Sequence, residues 1–115
     1  MDSILNSVKK MLGVAEENTS FDDDIVMHIN SVFMILHQLG AGPEEGFSIT
    51  DENDTWTSYF GEESGGIASI KSYMYLKVRS LFDPPTTGAV KEALNNNINE
   101  LEFRINVVAD KGVKT

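Results

Sequence analysis

The side chains in this chain that are best suited to acid–base or metal chemistry are two histidines and two pairs of glutamates. His28 and His37 lie nine residues apart. In a helix this spacing places them near one face but more than two turns apart, which is too far to share a metal ion. Glu44–Glu45 and Glu62–Glu63 have polar neighbours that leave them hydrated, so nothing there favours proton transfer. These residues predict no acid–base or metal centre.

Three further stretches share some residues with known ligand-binding loops. Asp51–Thr55 spaces its acids as a calcium loop does, but Trp56 stands where that loop needs its glycine. Gly40–Gly42 and Gly65–Gly66 lack the lysine and the further glycines of phosphate and dinucleotide loops, and neither follows a predicted strand. Cysteine is absent, which excludes disulfides and thiolate metal sites. We therefore expect no cofactor and no catalytic site, and predict that the protein is not an enzyme.

The charge of the chain is distributed unevenly. The net charge is −9 at pH 7, yet no Lys or Arg occurs between Lys10 and Lys71. That block carries twelve acids, whereas from Lys71 onward seven basic residues face five acidic ones. Such a surface repels phosphates and argues against ordinary nucleic-acid binding. Either solubility or a specific role for the acids explains the block.

The length and the hydrophobic pattern predict one all-α domain, residues 1–115, built as a small bundle of four main helices. The first spans residues 3–12. The second spans 21–39; Ser20 is its predicted N-cap, and Asp22–Asp24 lie at the positive end of its dipole. The third runs from Ile67 and cannot pass Pro84–Pro85, because proline lacks an amide donor.

Residues 43–66 are predicted to form a long acidic loop that carries one helical turn, between the second and third helices. A loop of this length in a compact domain is usually functional or mobile, so it is a candidate contact surface. Trp56 has two interpretations. It either attaches the loop to the core, as most such tryptophans do, or anchors a partner.

The last helix is predicted to be extended, with Thr86 or Thr87 as its cap. Its apolar residues from Val90 to Val108 alternate spacings of four and three, as in a coiled-coil seam. Phe103 and Val107 interrupt the polar face outside this seam, so we expect them to contact either the core of the same chain or a neighbouring subunit. Residues 111–115 are predicted to form a flexible tail.

The order of these elements and several short phrases resemble the head-tail connector family of long-tailed bacteriophages and prophages. This family comprises small adaptor, or head-completion, proteins, also described as putative DNA-packaging proteins. The phrases that carry the resemblance are Ser20–Ile25, Gln38–Gly40, Tyr73–Arg79, Phe82–Pro85 and Glu100–Asn106. Each phrase alone is weakly specific, but together they span nearly the whole chain.

The resemblance implies a structural subunit of the virion neck, made in the host bacterial cytoplasm. It implies a ring, a dodecamer that matches the portal, joined to the portal protein on one side and to a stopper or tail-completion protein on the other. DNA would pass through the channel without specific binding. The residues implied for the portal or subunit interface are Phe103, Arg104, Val107 and Val113. The residues implied for an acidic loop that faces the channel or the stopper are Glu44, Glu45, Asp51, Glu52, Asp54 and Trp56.

The main alternative is an acidic DNA mimic that inhibits a nuclease or a repressor. Clustered carboxylates can imitate the spacing of phosphates, but this function requires acids displayed regularly on rigid elements. Here the acids are concentrated in a Gly-rich loop, which favours the connector. No secretory signal precedes the first helix, and no apolar run approaches the length of a membrane span, so we expect no membrane association.

Overall fold

The computed structural model describes residues 2–61 and 66–114, and side chains as far as Val108. It contains five helices in this part of the chain and no strand beyond an isolated bridge between Ser3 and Thr55. The helices are α1 (Ile4–Leu12), α2 (Asp22–Gln38), α3 (Trp56–Phe60), α4 (Ile67–Phe82) and α5 (Gly88–Lys114). The predicted all-α fold with four main helices is confirmed, and α3 is the helical turn expected inside the long loop.

The starts of α1 and α2 differ in how they are capped. Ser3 caps α1, because its Oγ accepts a hydrogen bond from the backbone N–H of Asn6 at 3.2 Å. The predicted Ser20 cap of α2 is wrong: α2 begins at Asp22, and its N-cap residue Phe21 makes no side-chain cap bond. The backbone turns once more before the helix, and the N–H of Ser20 donates to Asn18 Oδ1 at 3.1 Å.

A buried ion pair joins α1 to the start of α2. Lys9 is only 1% exposed, and its Nζ lies 2.8 Å from Asp22 Oδ1. The same ammonium donates to the backbone carbonyl of Glu16 at 2.9 Å. An ammonium this deeply buried is tolerated only when it is paired and hydrogen-bonded. The first acid of the Asp22–Asp24 run therefore holds the α1–α2 connection in place.

The core is organised around α4, which packs against α1, α2 and α5. Ile70, Met74 and Val78 of α4 are buried at helical spacing, and they meet the buried stripe of α2. Tyr73 lies on the side towards α5, where its hydroxyl donates to Glu102 Oε2 at 2.7 Å. Burial, and then this carboxylate, raise the pKa of the Tyr73 phenol above its usual range.

The last helix packs on α4 through Leu94, Ile98 and Ile105. With 27 residues α5 is about 40 Å long, whereas the 16 residues of α4 span about 24 Å. α5 continues to Lys114 and so includes most of the segment predicted as a tail. The flexibility of that segment stays a prediction. The carboxyl-terminal turns of α5 extend past the helix on which it packs.

Candidate functional site

The long acidic loop is held to α2 by one amide side chain. Asn30 Nδ2 donates to the carbonyl of Ile49 at 3.0 Å, and Asn30 Oδ1 accepts from the Ile49 N–H at 2.7 Å. These are the two hydrogen bonds that a residue of a β-strand would make with an adjacent strand. The Ile49 side chain can consequently be buried in the core while its backbone groups remain paired.

The first residues of the chain hold the same loop from the other side. Ile4 N–H donates to the carbonyl of Asp54 at 3.1 Å, and Trp56 N–H donates to the carbonyl of Asp2 at 3.0 Å. The Asp2 carboxylate also accepts from the Thr57 hydroxyl and, at 2.8 Å, from the Thr57 N–H at the start of α3. The hydroxyl bond is the main reason that the pKa of Asp2 is lowered, against the opposing effect of partial burial.

Trp56 belongs to the core and not to a partner-facing surface. It is 2% exposed, and its Nε1 donates to Ser7 Oγ of α1 at 3.0 Å. The Nζ of Lys71 lies 5.5 Å from the centre of the indole ring, within cation–π range. The assignment of Trp56 to a channel-facing or stopper-facing loop is therefore wrong. Burying this large ring attaches the loop to the bundle, which was the other interpretation of this residue.

An aromatic cluster continues from Trp56 to the end of α2. Phe33, Phe47 and Tyr59 pack together with ring centres 4.7 to 5.2 Å apart. Burial raises the pKa of the Tyr59 hydroxyl to about 12. Gly42 lies against this ring with φ of +87°, and a Cβ there would be 2.6 Å from the Tyr59 hydroxyl oxygen. As far as residue 61 the loop is thus a packed part of the domain.

The acids predicted to face a channel or a stopper divide into two groups. Glu44, Glu45, Asp51 and Glu52 are exposed, whereas Asp54 is half-buried. Asp54 Oδ2 accepts from the N–H groups of Thr50 at 2.7 Å and Asp51 at 3.2 Å. Asp54 therefore shapes the turn of the loop, and the other four acids of this group carry exposed negative charge.

The outer face of α5 carries the most exposed large apolar side chain of the described residues. Phe103 is 70% exposed. Relative to the buried Leu94 it lies about 180° round the helix, so it points away from α4. Val107 is half-buried, and the exposed Arg104 reaches back to Glu100 at 2.6 Å. The side chain of Val113, the fourth predicted interface residue, lies outside those described. Of the two alternatives for Phe103, burial in its own core is excluded.

A second exposed apolar face lies on α2 and was not predicted. Met27 and Met34 are 57% and 61% exposed, and their spacing of seven places them in line on one side of the helix. Both lie opposite the buried stripe of Ile25, Ile29 and Leu36. Their spacing is visible in the sequence, but the longer buried stripe of α2 already accounts for the apolar pattern of that helix. Met27 and Met34 are called the α2 outer face below.

His28 and His37 are each engaged in a local contact, whereas Glu62 and Glu63 lie outside the described residues. His28 lies against the ring of Phe82, and His37 Nε2 is 2.9 Å from the carbonyl oxygen of Glu44. Among residues 2–61 and 66–108, no group of His, Asp and Glu is arranged to hold a metal ion. A shallow groove of about 300 Å³ runs between α4 and α5, with Leu76 and Leu101 among its lining residues. None of the helices described is both long and apolar enough to cross a bilayer.

The described residues form a small helical domain with large apolar side chains exposed on several helices, of which Phe103 on α5 and Met34 on α2 are the most exposed. A family model described as phage connector protein matches residues 4–112. The chain therefore belongs to the phage connector family, and it is a component of the head–tail connection of a bacteriophage. Neither a curated protein nor a solved structure matches the chain. The resemblance stated from the sequence is confirmed.

Proposed function

We propose that the chain is the adaptor, or head-completion, subunit of the phage neck, and that it acts without catalysis. Copies of it form a ring, a dodecamer, between the portal protein and a stopper or tail-completion protein. The observation that carries this proposal is the exposure of Phe103 on a helix face that the monomer leaves uncovered. Together with Val107 one turn further along, Phe103 forms an apolar patch on this face, and exposed apolar patches are typical of surfaces that another protein covers.

The carboxyl-terminal turns of α5 are the proposed docking element for the portal. They extend beyond α4, so they reach a partner without disturbing the bundle. The helix is fixed at the base of this extension, where Asn106 Nδ2 donates to the carbonyl of Leu39 at 3.1 Å. Val108 continues the apolar seam of α5 one turn past the buried Ile105 and is itself exposed. A partner helix packed on the extension would cover this continuation of the seam.

The exposed acids of the loop are the proposed lining of the DNA channel. Glu44, Glu45, Asp51 and Glu52 lie on a loop whose backbone is bonded to α2 at Ile49 and to the chain's first residues at Asp54 and Trp56. A negative surface repels the phosphates of passing DNA and so prevents adhesion. The channel therefore conducts DNA without specific binding.

The adaptor is favoured over the acidic DNA mimic. A mimic requires its acids at regular spacing, but Asp54 is committed to backbone bonds inside the loop. Two apolar outer faces, on α2 and α5, are also unnecessary for a protein that binds through charge. Family membership supports the same choice.

Deletion of the gene from its phage tests the proposed function. We expect DNA-filled heads and free tails that fail to join, counted by negative-stain electron microscopy, and recovery of joined particles when the full chain is supplied from a plasmid. Joined, infectious particles in the absence of the chain would refute the adaptor function.

A second experiment tests the docking element. A chain that ends at Val108 keeps the buried residues of α5 and the Asn106 bond, so we expect it to fold with the helix content and melting temperature of the bundle. It should lose co-purification with the portal. Retained binding would show that the portal docks elsewhere.

A further inference from the structure

The α5 outer face is defined by Phe103 and Val107, and the α2 outer face by Met27 and Met34. We propose that these two faces form the subunit contact of the ring, the α5 outer face of one copy packing on the α2 outer face of the next. This inference rests on the proposed function, because it names the partner of the surface that the adaptor leaves exposed. The occupant of both faces is a second copy of this chain.

The placement of the two faces favours a repeating head-to-tail contact. α4 packs against both α2 and α5 and separates them along most of their length. Each of these two helices turns its buried stripe towards α4, so the side chains opposite the stripes point away from α4 in opposite directions. Two different faces on opposite edges of a subunit pair heterologously, and a heterologous contact repeated by rotation closes a ring.

The charges of the two edges favour the same arrangement. Residues 11–70 contain no Lys or Arg, and the exposed Asp23 and Asp24 lie within one turn of Met27 on α2. On α5 the exposed cations Lys91 and Arg104 accompany the acids Glu92, Glu100 and Glu102, so this edge carries charges of both signs. An isologous contact through α2 would bring two acidic edges together, whereas a head-to-tail contact sets an acidic edge against one that carries cations. Arg104 is free to exchange its partner, because its bond to Glu100 is an exposed ion pair of little energetic value.

The size of the contact explains why it should be examined in the assembled neck. The 17 residues of α2 are about 25 Å long. A single helix face of that length covers less than the roughly 800 Å² that each partner contributes to a standard stable interface. Two free copies therefore associate weakly, and the portal brings them into position.

Disulfide crosslinking is the direct test, because the chain contains no cysteine of its own. The double variant Met34→Cys with Phe103→Cys is supplied as the only copy in phage particles, which are then oxidised and run on a non-reducing gel. A contact between different faces joins each copy to the next, so we expect a ladder of bands beyond the dimer. Each single variant should remain monomeric. The matched control pairs Met34→Cys with Asn95→Cys, an exposed position about 80° round α5 from Phe103, and should give no ladder.

The possible results distinguish a failure of the proposed contact from a failure of the proposed adaptor function. Dimers from either single variant would show an isologous contact and overturn the inference. A monomeric double variant in particles that contain the chain, as detected by mass spectrometry, would also overturn it while leaving the adaptor function intact. Absence of the wild-type chain from purified particles would refute the adaptor function, and the inference with it.

Discussion

Replacing Phe103 with aspartate separates the stability of the subunit from the stability of the assembly. In the isolated subunit the ring is 70% exposed, so little apolar burial is lost. Phe and Asp have similar helix propensities, and the only nearby acid on the same face is Glu100, so the free energy of unfolding should change by less than about 0.5 kcal/mol. We expect thermal melting of the purified variant to match that of the wild type.

The same substitution should strongly weaken assembly. If a partner covers residue 103, the variant buries an unpaired carboxylate, which costs about 3 kcal/mol or more. At about 1.4 kcal/mol per tenfold, this cost weakens each contact by at least about 100-fold. The assay is the amount of the chain in purified particles, measured by quantitative mass spectrometry.

Two controls make this prediction refutable. Asn95→Asp adds the same charge to another exposed position of α5 and should be incorporated normally. Phe103→Leu keeps an apolar side chain and should assemble nearly as well as the wild type. Normal incorporation of Phe103→Asp would show that residue 103 stays in water in the neck. A large drop in the melting temperature of the subunit would show that the ring already contributes to the monomer, and would refute the reasoning in another way.

Three further predictions concern the packing of the loop and the α1–α2 connection, each measured by urea unfolding unless stated. Gly42→Ala should lower the free energy of unfolding by about 1–2 kcal/mol more than Gly46→Ala does. Both glycines have positive φ, but only at Gly42 would the new Cβ clash with another side chain. Equal losses for the two variants would show that the aromatic cluster adjusts freely. Asp22→Asn should destabilise the protein more than Lys9→Met does. The first variant leaves a buried ammonium without its carboxylate, whereas the second leaves a partly exposed carboxylate that water can reach. The reverse order of stabilities would refute this reasoning. The pKa of Asp2 is lowered below 3.8, so the stability that its carboxylate contributes is present above that pH and is lost as the pH falls below it. Thermal melts at matched pH should therefore show that Asp2→Asn loses less stability on acidification than the wild type. An unchanged response to acid would contradict this assignment.

The helices of the bundle could be predicted from the sequence because their signals are local. The stripe of Ile25, Ile29 and Leu36 and the barrier of Pro84–Pro85 are set by residues three or four positions apart, so the four main helices were found. The residues at which the helices begin and end were harder to predict. Ser20 had the chemistry of a cap, but the ion pair between Lys9 and Asp22 and the turn before α2 place the helix start two residues later, and no local pattern reveals them.

The surface could be predicted only where a residue contradicts its local pattern. Phe103 was noticed because it interrupts a polar face, and it is indeed exposed. Met27 and Met34 were missed, because α2 already has a complete apolar stripe and a methionine beside it gives no separate signal. Trp56 could not be assigned, because its environment is formed by Ser7 and Lys71, which lie far from it in the chain.

The bonding of Asp2 and Ile4 to residues of the long loop has a consequence for synthesis on the ribosome. The partners of these first residues, Asp54 to Thr57, lie about fifty positions later in the chain. The amino-terminal helix can therefore form early as an isolated turn, but it cannot reach its final position until the loop has left the exit tunnel. Such distant contacts slow folding. The apolar stripe of α1 therefore stays uncovered on the emerging chain for longer than it would if its partners were the next helices in sequence.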